Sequence, residues 1–307
     1  MKKRVATALT YSFLSLLFCA SCASKKGAEL PIIYKEALYR NERGMALFAE
    51  GRNSDAANEF QRSLRINRST DNRKGIAINL INLGRVYLEE QRLDEARAAL
   101  DEATAISDSL MDQRLISEAY ATMAKYFFAA GDNRQSMDSL KKGMEIDQRE
   151  GFKGIGGKLN LAGFIYMQEG ELTKAEASFN EALSKNLASE DTIETANSYR
   201  GMADLLEIKG MLRDAGESIE KALDNDKKDG VSRRIATDLR RLGSLALKEN
   251  DINRALGYYL RSLDVDINSG DRASAAADLE IIAGIYKKSG DNEKALFYQD
   301  ERMRILK

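Results

Sequence analysis

From Asn79 to Ala103 the chain reads NLINLGRVYLEEQRLDEARAALDEA, two runs of apolar residues at three- and four-residue spacing with a polar break at Glu90–Arg92. That spacing predicts two amphipathic helices back to back. Small residues stand where the two must cross, Gly84 in the first and Ala96 at the start of the second. The pattern then returns along the whole chain. Gly84's position is taken by Gly44, Ala124, Gly163, Ala203, Gly243 and Ala283, at steps of 40 residues and once of 39. The position of Ala96 is taken by Ala56, Ala175, Ala215, Ala255 and Ala295, with Ser136 the one substitution. Bulky residues fill the layer between: Tyr87 with Leu100, Phe127 with Leu140, Tyr166 with Phe179, Leu206 with Ile219, and Tyr259 opposite Ala246. Stripes of this kind are the core of stacked repeats, not a cofactor site.

The alternation of small and large residues at a fixed period resembles the tetratricopeptide repeat, a helix-turn-helix unit. The resemblance covers residues 34–307 and implies an all-α fold, a right-handed α-solenoid of about seven repeats. They fall near 37–70, 77–110, 117–150, 156–189, 196–229, 236–269 and 276–307. The chain departs from the family in its forty-residue period, where about thirty-four is usual, and in lacking the proline that closes each unit. The extra residues are expected to lengthen each second helix and add a turn to the next first helix. Asp71, Asp191 and Asp271 are expected as N-caps of these longer helices. Repeat four opens with Gly151, Gly154, Gly156 and Gly157, which predicts a softer joint. A phosphate loop is excluded there, because Leu159 follows Lys158 where Ser or Thr is required and no strand precedes. Polar Arg40 and Arg43 at one end, and Gln299 and Arg302 at the other, read as solvated caps, with Leu296, Met303 and Leu306 left partly exposed.

Composition supports helices and narrows the chemistry. The 307 residues include one proline, Pro31, and no Trp or His. Without His there is no imidazole catalysis, no Ser-His triad and no His-ligated metal. Both cysteines, Cys19 and Cys22, precede the repeats, so the repeats carry neither thiol nor disulfide. No pair of carboxylates stands out among 48 acidic residues, most of which alternate with Lys and Arg. The expectation is a protein without enzymatic activity or cofactor.

Met1–Arg4 is basic, Val5–Phe18 is an apolar run, and small residues follow around Cys19–Ala23. This is the layout of a bacterial secretory signal, and the run is shorter than the roughly twenty residues a spanning helix needs. The small residues before a terminal Cys resemble a lipoprotein signal. That resemblance implies residues 1–21 as the signal, Cys22 as the lipidated first residue and 22–33 as a tether. Cys19 stands where the family usually has Leu, and release of a soluble chain after a cut near Ala23 or Ser24 is the alternative. Without Lys2, Lys3 and Arg4 the chain has 44 basic and 48 acidic residues, so bulk charge favours neither nucleic acid nor an anionic membrane.

In tetratricopeptide proteins the first helices line a concave groove that binds peptides. The matching positions here include Asn41, Asn82, Arg85, Lys125, Asn160, Asn197, Arg200, Arg240 and Arg241. Amides can pair with an extended backbone, and Arg and Lys suit carboxylates, so the expected partner is a protein or an extended, acidic peptide. With the lipid as its only membrane contact, the protein is expected in the bacterial cell envelope, at the outer membrane facing the periplasm, as an adaptor or assembly scaffold. A surface-exposed adhesin or uptake lipoprotein is the rival reading.

Overall fold

The computed structural model describes residues 31–307. The signal segment, Cys22 and nearly all of the expected tether lie outside the described residues.

Fourteen helices follow one another among the described residues. They pair as α1 (Ile32–Ala49) with α2 (Asn53–Ser69), α3 (Arg73–Glu89) with α4 (Leu93–Leu110), and α5 (Gln113–Ala129) with α6 (Asn133–Glu150). Next come α7 (Ile155–Gln168) with α8 (Leu172–Ser189), and α9 (Thr192–Ile208) with α10 (Leu212–Asp229). The series ends with α11 (Ser232–Lys248) beside α12 (Ile252–Ser269) and α13 (Arg272–Lys288) beside α14 (Asn292–Ile305). Each helix packs on the next, giving an all-α solenoid of seven hairpins.

The crossings are as close as the small residues predict. A Cβ on Gly44 would lie 2.7 Å from the Phe60 ring, and one on Gly84 2.7 Å from Leu100. Gly163 meets Phe179 and Gly243 meets Tyr259 in the same way. The tight mate of each glycine is therefore the bulky residue two turns into the second helix, one turn beyond the small residue. At the third hairpin the Ser136 hydroxyl donates to the Ala124 carbonyl at 2.8 Å, so the one departure from alanine is satisfied inside the crossing.

Every inter-helix turn carries one left-handed residue: Gly51, Gln91, Gly131, Gly170, Gly210, Asn250 and Gly290 within hairpins, and Asp71, Met111, Gly151, Glu190, Gly230 and Gly270 between them. Between hairpins an acid or amide then commonly caps the next helix. Asp191 accepts from the Glu194 N–H and Asp271 from that of Ser274, as expected. Asp71 does not: it holds the left-handed position at φ 50°, and Asn72 caps α3 by accepting from Gly75. An Asp-Asn pair offers two residues that tolerate either role, so the alignment slips by one. The odd helices other than α7 begin about a turn before the expected repeat starts, which takes up much of the additional length of each period.

The odd-numbered helices also pack on one another, α3 on α5 and α7 on α9 most closely, α1 on α3 and α5 on α7 more lightly. They therefore form the inner, concave side. α7 is a turn shorter than its counterparts, and α6 packs on it less than on any equivalent neighbour. The thinner contact falls at the glycine-rich opening.

Candidate functional site

Of the nine residues expected to face a partner, several are spent inside the wall. Arg200 on α9 donates from Nε to Asp238 Oδ1 at 2.8 Å and from an Nη to Oδ2 at 2.9 Å, and also binds Asp226. Arg240, one repeat on, does the same with Asp278 at 2.7 Å and with Asp266. All four carboxylates are buried. Arg241 binds Asp204, and Glu207 at 3.1 Å. These arginines bridge α9 to α11 and α11 to α13.

The same seam position can be followed down the chain. Between the first two hairpins it holds Asn41, Asn67 and Asn79. Asn67 donates to Asn79 at 2.8 Å, and Asn79 donates to Asn41 at 2.9 Å. Between the fourth and fifth it holds Asn160, Asn186 and Ser198, linked at 3.0 and 2.8 Å. Between the third and fourth, Lys158 meets Asp147 at 2.5 Å, and Ala121 takes the third place. Ile81, Ser107 and Ala119 form the one mainly apolar version, all buried. Each seam is a triad drawn from an odd helix, its even partner and the next odd helix. Buried polar groups must find partners, and here they find them in the adjoining repeat.

Electrostatics differ along the series. Burial pushes the Asp266 carboxyl up to about 6, with Arg240 opposing and Asp278 adding to the shift. Burial does the same to Asp238, also to about 6, against the pull of Arg200. For Arg200 burial works against the charge, but Asp238 and Asp226 outweigh it and hold the guanidinium above its usual value. Asp226 Oδ1 and Asp278 Oδ2 are buried without a hydrogen-bond donor.

Three of the remaining expected residues, Asn82, Arg85 and Lys125, meet in one place. A cleft of about 380 Å³ opens on the concave side over the glycine-rich joint, with Met45, Ile78 and Leu161 among its apolar lining and Arg85, Lys125 and Lys153 among its cations. Asn82 is buried beneath it, donating to Asn41 and accepting from Arg85 at 3.2 Å. Glu118, Asp191 and Glu194 line the same cleft. Asp191 is held by its helix cap, Glu194 accepts from Asn160 at 2.9 Å, and Glu118 lies 3.9 Å from both Arg85 and Arg114. Lys125 and Lys153 are exposed and have no ion pair among the described residues. Desolvation holds the Arg85 guanidinium below its ordinary value, with Glu118 opposing. The cleft therefore sets Arg85, Lys125 and Lys153 against Glu118, Asp191 and Glu194, and places two lysines that have no ion pair among the described residues beside an apolar floor. Asn197 stands apart from it, orienting Arg200 at 3.0 Å.

Sequence reasoning reached Arg85, Lys125 and the Asn residues through helical spacing but missed Lys153, Met45 and Ile78. Lys153 sits in the glycine-rich break, outside any helical period, and the others look like ordinary stripe residues.

A family model described as tetratricopeptide repeat matches residues 34–109, and a second with the same description matches 159–185. A search of curated proteins finds no match. Among solved structures the chain is similar to a signal-transduction ATPase with a tetratricopeptide repeat sensor from Pyrococcus horikoshii, at 18% identity and a TM-score of 0.57. It is similar to the Cut9 and Hcn1 hetero-tetramer of the APC/C at 16% and 0.60. A Rap protein complexed with competence and sporulation factor aligns at 14% identity and 0.62. These alignments cover 88%, 91% and 88% of this chain and 41%, 47% and 74% of the others, so the chain spans under half the length of the first two. At such identity they establish the fold, a solenoid of tetratricopeptide repeats.

Proposed function

We propose that this chain is an interaction scaffold that binds a protein or extended peptide on its concave side, anchored in the partner's acidic and apolar side chains by the cleft around Arg85, Lys125 and Lys153. The observation that carries the reading is the cleft itself, where the exposed Lys125 and Lys153 have no ion pair among the described residues and stand beside the apolar Met45, Ile78 and Leu161. An acidic side chain docked there would gain charge-assisted hydrogen bonds, while an apolar neighbour would cover Met45, Ile78 and Leu161. The Rap structure, a complex with competence and sporulation factor, is consistent with this use of the fold.

The adaptor works at the bacterial cell envelope, held by a lipid on Cys22 at the outer membrane and facing the periplasm. The layout of the first 22 residues supports that placement. A lipid anchor leaves the solenoid outside the bilayer.

A crosslinking pull-down from envelope membranes tests both halves. Lys125→Ala with Lys153→Ala should lose a partner that the wild type captures, with circular dichroism unchanged, since neither lysine holds the fold together. Identical partner lists would mean the cleft is a solvated face. Cys22→Ser should move the protein from the membrane to the soluble fraction, and an unchanged distribution would remove the anchor from the reading.

A further inference from the structure

The turn between α1 and α2 is unlike its counterparts. Five of the seven hairpin turns place glycine at the left-handed position, and at Gly131, Gly170, Gly210 and Gly290 a Cβ would meet nothing within 4 Å. At Gly51 it would lie 2.6 Å from Cδ and 2.8 Å from Nε of Arg233. Arg233 belongs to the first turn of α11, five hairpins further along the chain. The solenoid has come round on itself, and its first repeat meets its fifth-to-sixth junction.

Around that contact the α1–α2 turn faces two more turns, those before α11 and α13, across a gap of about 870 Å³. Glu50 and Arg52 line it from one side, Arg233, Asp271 and Arg272 from the other. Both banks carry both signs of charge, so approach is not opposed by net repulsion, but no ion pair crosses the gap among the described residues. Arg52 is already committed to Asp55 at 2.6 Å and to Glu50 at 3.7 Å on its own side. One guanidinium stem laid over one glycine is therefore the close contact. So small a junction binds weakly, and relative motion across it is the expectation.

We infer that this junction is a reversible clasp: Arg233 seated on Gly51 closes the solenoid into a ring around its concave side, and its release lets the ring open. Closure walls off the concave side between the first and fifth-to-sixth repeats, so a bulky partner enters only after the clasp parts, whereas a thin segment can thread along the axis. The glycine serves the seat as well as the turn, since any side chain there would push the Arg233 guanidinium off it. Asn250 occupies the equivalent position of the sixth hairpin at φ 61°, so asparagine can make this turn, but at Gly51 it would strike Arg233.

Small-angle X-ray scattering on the mature chain tests the clasp with two independent variants. Gly51→Asn keeps the turn and obstructs the seat; Arg233→Glu keeps the seat and removes its occupant. Both should raise the radius of gyration and lengthen the maximum dimension relative to wild type, with helicity and melting temperature unchanged, while Arg213→Glu on the exposed face of α10 leaves scattering as it was. Scattering curves for Gly51→Asn and Arg233→Glu that superimpose on wild type would overturn the inference, as would a wild type whose scattering already fits an open solenoid. Neither outcome depends on which partner, if any, the groove takes.

Discussion

Arg240 faces two buried carboxylates, Asp266 and Asp278, with no second cation at the seam among the described residues. The pair carries more negative charge than one guanidinium can compensate, which is why burial leaves Asp266 titrating near 6. A carboxyl whose folded pKa lies above its unfolded value binds its proton more tightly when folded. Stability therefore rises as pH falls through about 6 and levels off near the unfolded value, about 4. Asp238 adds a second such group at the preceding seam. Against them stand Asp112, held low by Lys74, and Asp291, held low by the Lys294 N–H, whose contributions are lost only below about pH 4. The melting temperature should accordingly rise between pH 7 and pH 5. Asp266→Asn, which supplies the neutral form permanently, should flatten that rise and gain about 1 kcal/mol at pH 7. Chemical denaturation of both proteins across this range measures it, and a wild type that loses stability steadily from pH 7 would contradict the assignment.

The triads also set how the elements stack. Where they are built of Asn, Ser, Ala or Ile, the odd helices touch, α3 on α5 and α7 on α9. Where Arg replaces Asn160's equivalent, at Arg200 and Arg240, long side chains span the distance from α9 to α11 and from α11 to α13. These arginines hold the wall together and make poor probes of binding. Arg240→Ala would strand Asp266 and Asp278 without a counterion, and should cost about 3–5 kcal/mol in denaturant unfolding; a cost well under 1 kcal/mol would place the stabilisation elsewhere. The hairpins were legible because helical spacing and the small–large alternation are local and recur at every period. The triads were not, because each joins residues 12, 26 and 38 apart whose polarity changes from Asn to Arg and Asp along the chain. A groove arginine and a seam arginine lie on the same helical face, and only the buried acids opposite tell them apart. Arg85 and Lys125 have no such acids and remain at the cleft.

A solenoid is as cooperative as its weakest seam, because each repeat touches little beyond its neighbours. Here that seam lies between α6 and α7, where glycines replace the first turn of a helix and the contact is thinnest. The clasp between the first and later repeats is a single seated side chain, too small to couple the halves when one begins to melt. The molecule should then behave as two cooperative blocks, α1–α6 and α7–α14, that separate once one is sufficiently weakened. Leu242 lies in the apolar cluster that joins α9, α10 and α11, so Leu242→Ala should remove about 2–5 kcal/mol from the second block alone. Hydrogen exchange of this variant in mild urea should show amides after Ile155 losing protection while those before Glu150 keep theirs, and the unfolding curve should resolve into two steps. If protection instead falls uniformly from α1 to α14 in one transition, coupling passes through the glycine joint undiminished, and Lys158 with Asp147 would be the bond that carries it.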